Sequence, residues 1–261
     1  CSKHKISLCT EQANQIRWSL GLQRGKSDKL DARRIAMYGY KSRYTIVPQG
    51  IPPVQIGKLQ RLLALRERFV NARKQIVTSI EEMNGFIDKK EIDVMKKIQE
   101  PVVKKLEAAI HKTEEAIRAL LKADTAMHTN YKLLLSIKGV GMVTAWHLIV
   151  YTCNFTRYVT GKKLACYCGV VPFSHQSGSS IKGKNRVSHM ANKSMKALLH
   201  MAAVSAIQHD HELKQYYLRK IASGKHAMCV LNAVRNKLGL RIARVVERQS
   251  PFVDNYSKNV A

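Results

Sequence analysis

The chain has 261 residues, with 45 Lys and Arg against 18 Asp and Glu, a formal charge of +27 at pH 7. That surplus exceeds what solubility requires and points to a polyanionic partner, and the length makes one large domain or two modest ones. No stretch reaches the roughly 18 apolar residues of a spanning helix and none reads as a signal peptide, so nucleic acid is favoured over a membrane and a cytoplasmic setting is expected.

The charge is uneven. Residues 126–261 carry 20 Lys and Arg against 4 Asp and Glu, and residues 1–125 carry 25 against 14. Six cysteines show no CxxC pair and no His spacing for zinc, and Cys166 and Cys168, one residue apart in an apolar stretch, read as small buried thiols. The chain opens on Cys1 and runs at once into a strand-like KISLC, as if a domain were entered part-way.

Residues 1–45 predict a short strand near 5–9, a helix near 11–20, the basic loop GLQRGK and a second helix opening at Ser27 or Asp28. The stretch TIVPQGIPPV, with Pro48, Pro52 and Pro53, breaks any helix and marks a linker. Leu59, Leu62, Phe69, Ile76, Ile80, Met83 and Ile87 then recur at helical spacing. A second run passes through Met95, Ile98, Val102, Leu106, Ile110, Ile117 and Leu121, interrupted by Pro101. Two such helices form either an antiparallel coiled coil that dimerises or a pair packed on the rest of the chain. Beyond Asn130, helices are expected near 143–152, 161–168, 192–208, 212–223 and 225–248, with a Gly-, Ser- and Lys-rich segment between the second and third. The expected fold is mainly α: residues 1–45 as one domain remnant, 46–128 as linker and long helices, and 129–261 as a helical C-terminal domain.

Four constellations could carry chemistry. The run LLLSIKGVGMVTAWHLI has the spacing of a helix-hairpin-helix, whose Gly139 and Gly141 turn would offer backbone N–H groups to a phosphate; an ordinary turn between packed helices has the same spacing. Ser177, in QSGSS, is followed by Lys182, Lys184 and Arg186. An exposed hydroxyl, small neighbours and nearby cations are what a serine attacking a phosphodiester needs, although a Gly/Ser turn beside basic residues is also an ordinary surface loop. Asp28 and Asp31 share one helical face, as carboxylates binding Mg²⁺ would, or they serve as N-cap and first-turn acid. The last helices carry Lys193, Lys196, Lys214, Arg219, Lys220, Lys225, Arg235, Lys237, Arg241 and Arg244, a surface suited to tracking phosphates. Tyr216 and Tyr217 either stack on bases or fill the core.

Three strings in this order, RGKSDKLDARRIA at 24–36, IKGVGMVTAWHLI at 137–149 and GVVPFSHQSGSSIKGKNRVSHMANKSMKALLHMAA at 169–203, resemble the transposases of the insertion sequence one-ten family, relatives of the Piv DNA invertase. The resemblance implies an RNase H-like (RuvC-like) N-terminal domain with an Asp-Glu-Asp-Asp metal site and a helical C-terminal domain whose serine attacks DNA. On this sequence, Asp28 and Asp31 match the last two acids, as Mg²⁺ ligands, and Ser177 matches the nucleophile. It also implies a homo-oligomeric recombinase acting on DNA with a structured guide RNA. The first Asp and the Glu have no counterpart after Cys1, so the expectation is a fragment of a longer product or the remnant of a decayed element.

Two functions of different class follow. One is a DNA recombinase in which Lys182, Lys184, Arg186 and Lys193 hold phosphates around Ser177. The other is a catalytically inert nucleic-acid-binding module. A basic helical protein of ribosomal type is a weaker third, since it has no need of an SGSS loop or paired aspartates.

Overall fold

The computed structural model describes residues 9–21, 25, 27–47, 52–158, 160–177, 181–188 and 190–254. The chain divides into two compact units, Cys1–Pro52 and Pro53–Ala261. The strand expected near 5–9 lies mostly outside the described residues, as do 178–180 of the SGSS string.

The first unit contains α1 (Ala13–Ser19) and α2 (Asp28–Lys41). Ser27, with extended backbone, is the N-cap of α2, and its Oγ accepts from the Leu30 N–H at 3.3 Å. The expected N-cap was Asp28; the serine one residue earlier takes that place and leaves both aspartates inside the first turn. On the inner side of α2, the Tyr38 hydroxyl accepts from Gln15 Nε2 of α1 at 3.4 Å.

In the second unit α3 (Val54–Glu81) and α4 (Lys89–Lys122) form a long helical hairpin. Arg66 meets Glu114 and Arg73 meets Glu107, each at 2.7 Å, so seven residues forward on α3 correspond to seven back on α4 and the pair is antiparallel. Near the ends of the hairpin that join the body, Ile56, Leu59, Leu63, Ile117 and Leu121 are buried. Toward the turn, Met83, Phe86, Ile98 and Val102 are exposed. Pro101 does not interrupt α4: it sits exposed within one continuous helix, where water can take the carbonyl that loses its N–H partner.

The body is built from α5 (Thr125–Leu135), α6 (Met142–Tyr151), α7 (Gly161–Tyr167), α8 (Lys193–His209), α9 (His211–Ala222) and α10 (Ala227–Arg248). Five of these answer the expected helices to within two residues. The sixth, α5, was not foreseen, though Asp124 caps it by accepting from the Met127 N–H at 3.0 Å. Trp146, Leu134, Ile137, Leu164, Met195, Leu199, Val234, Leu238 and Ile242 form one continuous core with the base of α3 and α4. Asp210 joins α8 to α9: it is 2% exposed, caps α9 through Leu213 N–H at 2.9 Å, and pairs with Arg241 of α10 at 2.5 Å.

Between α7 and α8 the Gly/Ser/Lys-rich segment is more ordered than its composition implies. Pro172–Ser177 (β1) and Ile181–Val187 (β2) pair as an antiparallel hairpin, with an irregularity between Phe173 and His175. Among the described residues this is the molecule's one sheet, on an otherwise helical protein. No described helix is long and apolar enough to cross a membrane.

Candidate nucleic-acid interface and serine hairpin

Ser177 is the last residue of β1 and stands opposite Ile181; Gln176 stands opposite Lys182, His175 opposite Gly183 and Phe173 opposite Arg186. The hairpin register thus gathers Ser177, Lys182, Lys184 and Arg186 on two adjacent strands. Both ends of the hairpin are tied to helices. At its entrance the Val170 carbonyl accepts from Asn232 Nδ2 of α10 at 2.8 Å. At its exit Asn192 caps α8, and its backbone N–H and Nδ2 donate to the carbonyl and hydroxyl of Tyr167 at 2.9 and 2.8 Å. The Tyr167 ring in turn stacks on Tyr158, centroids 4.2 Å apart. Lys193 opens α8 directly after Asn192 and is exposed. Neither asparagine was singled out from sequence, although an Asn three residues before Met195 at the head of an apolar run is an N-cap signature.

The two glycines of the α5–α6 turn do different things. Gly139, at φ +92, lies against α8, and Gly141 is open, with nothing near a Cβ built on it. Gly141 is the N-cap of α6, supplies no side-chain cap, and is followed by no first-turn acid. Free N–H groups at this end are therefore available to water or to an anion. Lys138, beside the turn, pairs with Asp254.

In the first unit, Asp28 is exposed and Asp31 donates nothing and accepts from Arg34 Nη1 at 2.9 Å, while Arg34 Nη2 also donates to the Gly25 carbonyl at 3.1 Å. Asp31 and Arg34 line a cleft of about 460 Å³ with Ala13, Ile16, Leu20 and Ile35. Two carboxylates on one turn, one keeping an oxygen free, fit the way Mg²⁺ is commonly held, by one or two carboxylates plus waters and substrate phosphates. Among the described residues no group of three or more His, Cys, Asp or Glu gathers to hold a metal. Asp28 and Asp31 belong to the first unit and Ser177 to the second.

Two expectations about side chains need correction. Arg235 and Arg241 are not part of an exposed basic face. Arg235 is 6% exposed, and Arg241 bridges Asp210 and Glu212 with its guanidinium 4.2 Å from the Phe252 ring centroid. Cys166 is exposed where a buried thiol was expected; Cys168 is buried, and burial pushes its thiol up to about 12. Of the two tyrosines, Tyr216 packs on the core, with Lys237 Nζ 4.7 Å from its ring centroid.

Fold and site together define a basic, mainly helical protein that carries a serine on a cation-bearing hairpin. Residues 131–218, from α5 through most of α9 and including the hairpin, match the family described as Transposase IS116/IS110/IS902. The chain is 26% identical over 258 residues to the pilin gene-inverting protein of Moraxella lacunata, covering 95% of this chain and 74% of that protein. The Moraxella bovis protein of the same name gives the same figures. An uncharacterized 43.6 kDa protein of insertion element IS110 from Streptomyces coelicolor is 30% identical over 136 residues, 52% of this chain and 33% of that protein. These matches support a transposase of the IS110 family.

Proposed function

We propose that this protein is a DNA recombinase of a bacterial mobile element, in which Ser177 cuts and rejoins strands with the help of Mg²⁺ held at Asp28 and Asp31. The observation that carries the reading is the position of Ser177, at the end of β1 in a hairpin with three cations on its second strand and within the family-matched region. The pilin gene inversion for which the Moraxella relatives are named is itself an exchange of DNA strands and supports DNA as the partner.

In the proposed step the Ser177 Oγ attacks the scissile phosphorus and gives up its proton, forming a serine–phosphate ester. The bond to one deoxyribose oxygen breaks, and that oxygen leaves as a hydroxyl after taking a proton. Lys182, Lys184 and Arg186 on β2 supply positive charge for the phosphate oxygens. Lys193, at the start of α8, and the N–H groups after Gly141 hold flanking phosphates without reading bases. The α5–α6 turn acts in this reading as a helix-hairpin-helix. Asp28 and Asp31 would hold Mg²⁺, which would supply charge neutralisation for a phosphate. These two acids belong to an RNase H-like (RuvC-like) region at residues 1–45. The long helices within 46–128 act as a coiled-coil arm for a homo-oligomer, residues 129–261 form the C-terminal transposase domain, and a structured guide RNA selects the DNA. The setting is the cytoplasm.

The test is strand exchange on a plasmid substrate in the presence of Mg²⁺. Ser177→Ala is expected to abolish exchange while leaving DNA binding near the parent level. Exchange at the parent rate by that variant rejects the nucleophile. DNA binding by the parent without any exchange supports an inert binding module instead.

A further inference from the structure

Arg235 stands apart from the other basic residues of the last helices. Its whole residue is 6% exposed, and its Nε–H meets no acceptor. Among the described residues no carboxylate pairs with it, whereas Arg241, on the same helix, pairs with Asp210 and Glu212. Burial pulls its pKa down, yet a guanidinium keeps its proton at neutral pH. An uncompensated buried charge is strongly destabilising, and an apolar residue of similar volume in its place is commonly neutral or stabilising. Its retention calls for a partner.

The surroundings indicate where that partner comes from. Asn232, three residues earlier on α10 and on the same helical face, holds the Val170 carbonyl at the entrance of the serine hairpin. Gly239, four residues later, faces Ala165 of α7. Arg235 therefore sits on the strip of α10 that runs from the end of α7 to the root of β1. Of the charges that approach this root in a nucleic-acid-binding protein, the backbone phosphate is the one that a planar, five-donor cation is built to receive.

We propose that Arg235 is a phosphate-binding residue beneath the serine hairpin, receiving one phosphodiester of the strand that the hairpin engages. This inference rests on the nucleic-acid reading above but not on Ser177 as nucleophile. With its Nε–H free of any acceptor, the guanidinium has donor capacity for a phosphate that comes to the root of the hairpin. Asn232 fixes that root by its hydrogen bond to the Val170 carbonyl.

The test measures binding of the full chain to a short random-sequence DNA duplex, to one of its single strands, and to RNA of the same sequence, each over a series of salt concentrations. Arg235→Met is expected to unfold at the parent temperature or above it. Its affinity should fall on the order of tenfold on at least one of the three probes. On that probe the slope of log affinity against log salt should shrink by about 0.9 for duplex DNA or about 0.7 for a single strand. The probe with the largest loss identifies which nucleic acid occupies the site. Parent affinity and slope in Arg235→Met on all three probes overturn the proposal while leaving the nucleic-acid reading intact; a parent that binds none of the probes overturns both. If Arg235→Met fails to fold, Arg235→Gln, which keeps polar reach without the charge, is read by the same criteria.

Discussion

Gly139 lies so close to α8 that a Cβ built on it would stand 2.5 Å from the Ala202 carbonyl oxygen and 2.7 Å from the Ala206 Cβ. The glycine of the α5–α6 turn is therefore where the turn docks on the helix that follows the serine hairpin. Gly141, two residues on, has ordinary negative φ and no neighbour within 4 Å of the same construction. Gly139→Ala combines a strained φ with overlap against backbone and should lower stability by about 3 kcal/mol. Gly141→Ala should change it by less than about 1 kcal/mol. Thermal unfolding of the two variants checks the contrast, and equal effects would contradict the docking geometry.

Glu114 reports on the long hairpin. Burial pushes its carboxyl up, but the hydrogen bond and charge of Arg66, joined by Arg118, outweigh that and hold it below the ordinary carboxylate value of 4.5. The folded state thus binds the proton less readily than the unfolded one. The resulting stabilisation is fully present above about pH 4.5 and is lost as pH falls through the lower folded value. Glu114→Gln should therefore be less stable than the parent near pH 7 by about 1–2 kcal/mol. The difference should vanish in acid. Glu107→Gln, which removes a pair with both side chains more than 40% exposed, should change stability by less than about 1 kcal/mol. Unfolding by denaturant across pH separates the two.

Asp210 combines a cap with a buried pairing to Arg241. Asp210→Ala removes both and leaves the Arg241 guanidinium with only the exposed Glu212, a loss of about 3–5 kcal/mol. Asp210→Asn keeps an oxygen for the Leu213 N–H and should lose less. If the two substitutions were equal in chemical denaturation, the cap would contribute nothing.

The cysteines of α7 differ in access and in chemistry. Iodoacetamide at pH 8 should modify exposed Cys166 in the native protein and leave Cys168 untouched, since its thiol is both buried and raised to about 12. Peptide mapping after a timed pulse gives the order of labelling. Modification of Cys168 first would mean that α7 presents its other face.

The long helices were legible because their apolar residues repeat at helical spacing over many turns, and α6 to α10 were legible from short apolar runs bounded by Gly, Asn and Asp. The apolar repeat carried the helix through Pro101, whose exposed position leaves water room at the carbonyl that loses its N–H partner. The β-hairpin was hidden by composition: IKGKNRV contains only Ile181 and Val187 as strong strand formers, so pairing with β1 rather than local preference makes it a strand. Arg235 was misread for a related reason. A basic residue at helical spacing looks the same whether its face meets solvent or a neighbouring helix, and only the packing of α10 on α7 distinguishes them. That Ser177, Lys182, Lys184 and Arg186 share one short segment was legible because all four lie within ten residues; their placement on two paired strands was not.

The central claim is that Ser177 forms the bond to DNA. The most direct measurement isolates the protein–DNA adduct made in the presence of Mg²⁺, digests both polymers, and locates the residual nucleotide by mass spectrometry. The account predicts a nucleotide ester on the peptide containing Ser177, at that residue, and none from Ser177→Ala. A nucleotide on Ser174, Ser179, Ser180 or any tyrosine, with Ser177 unmodified, would contradict it.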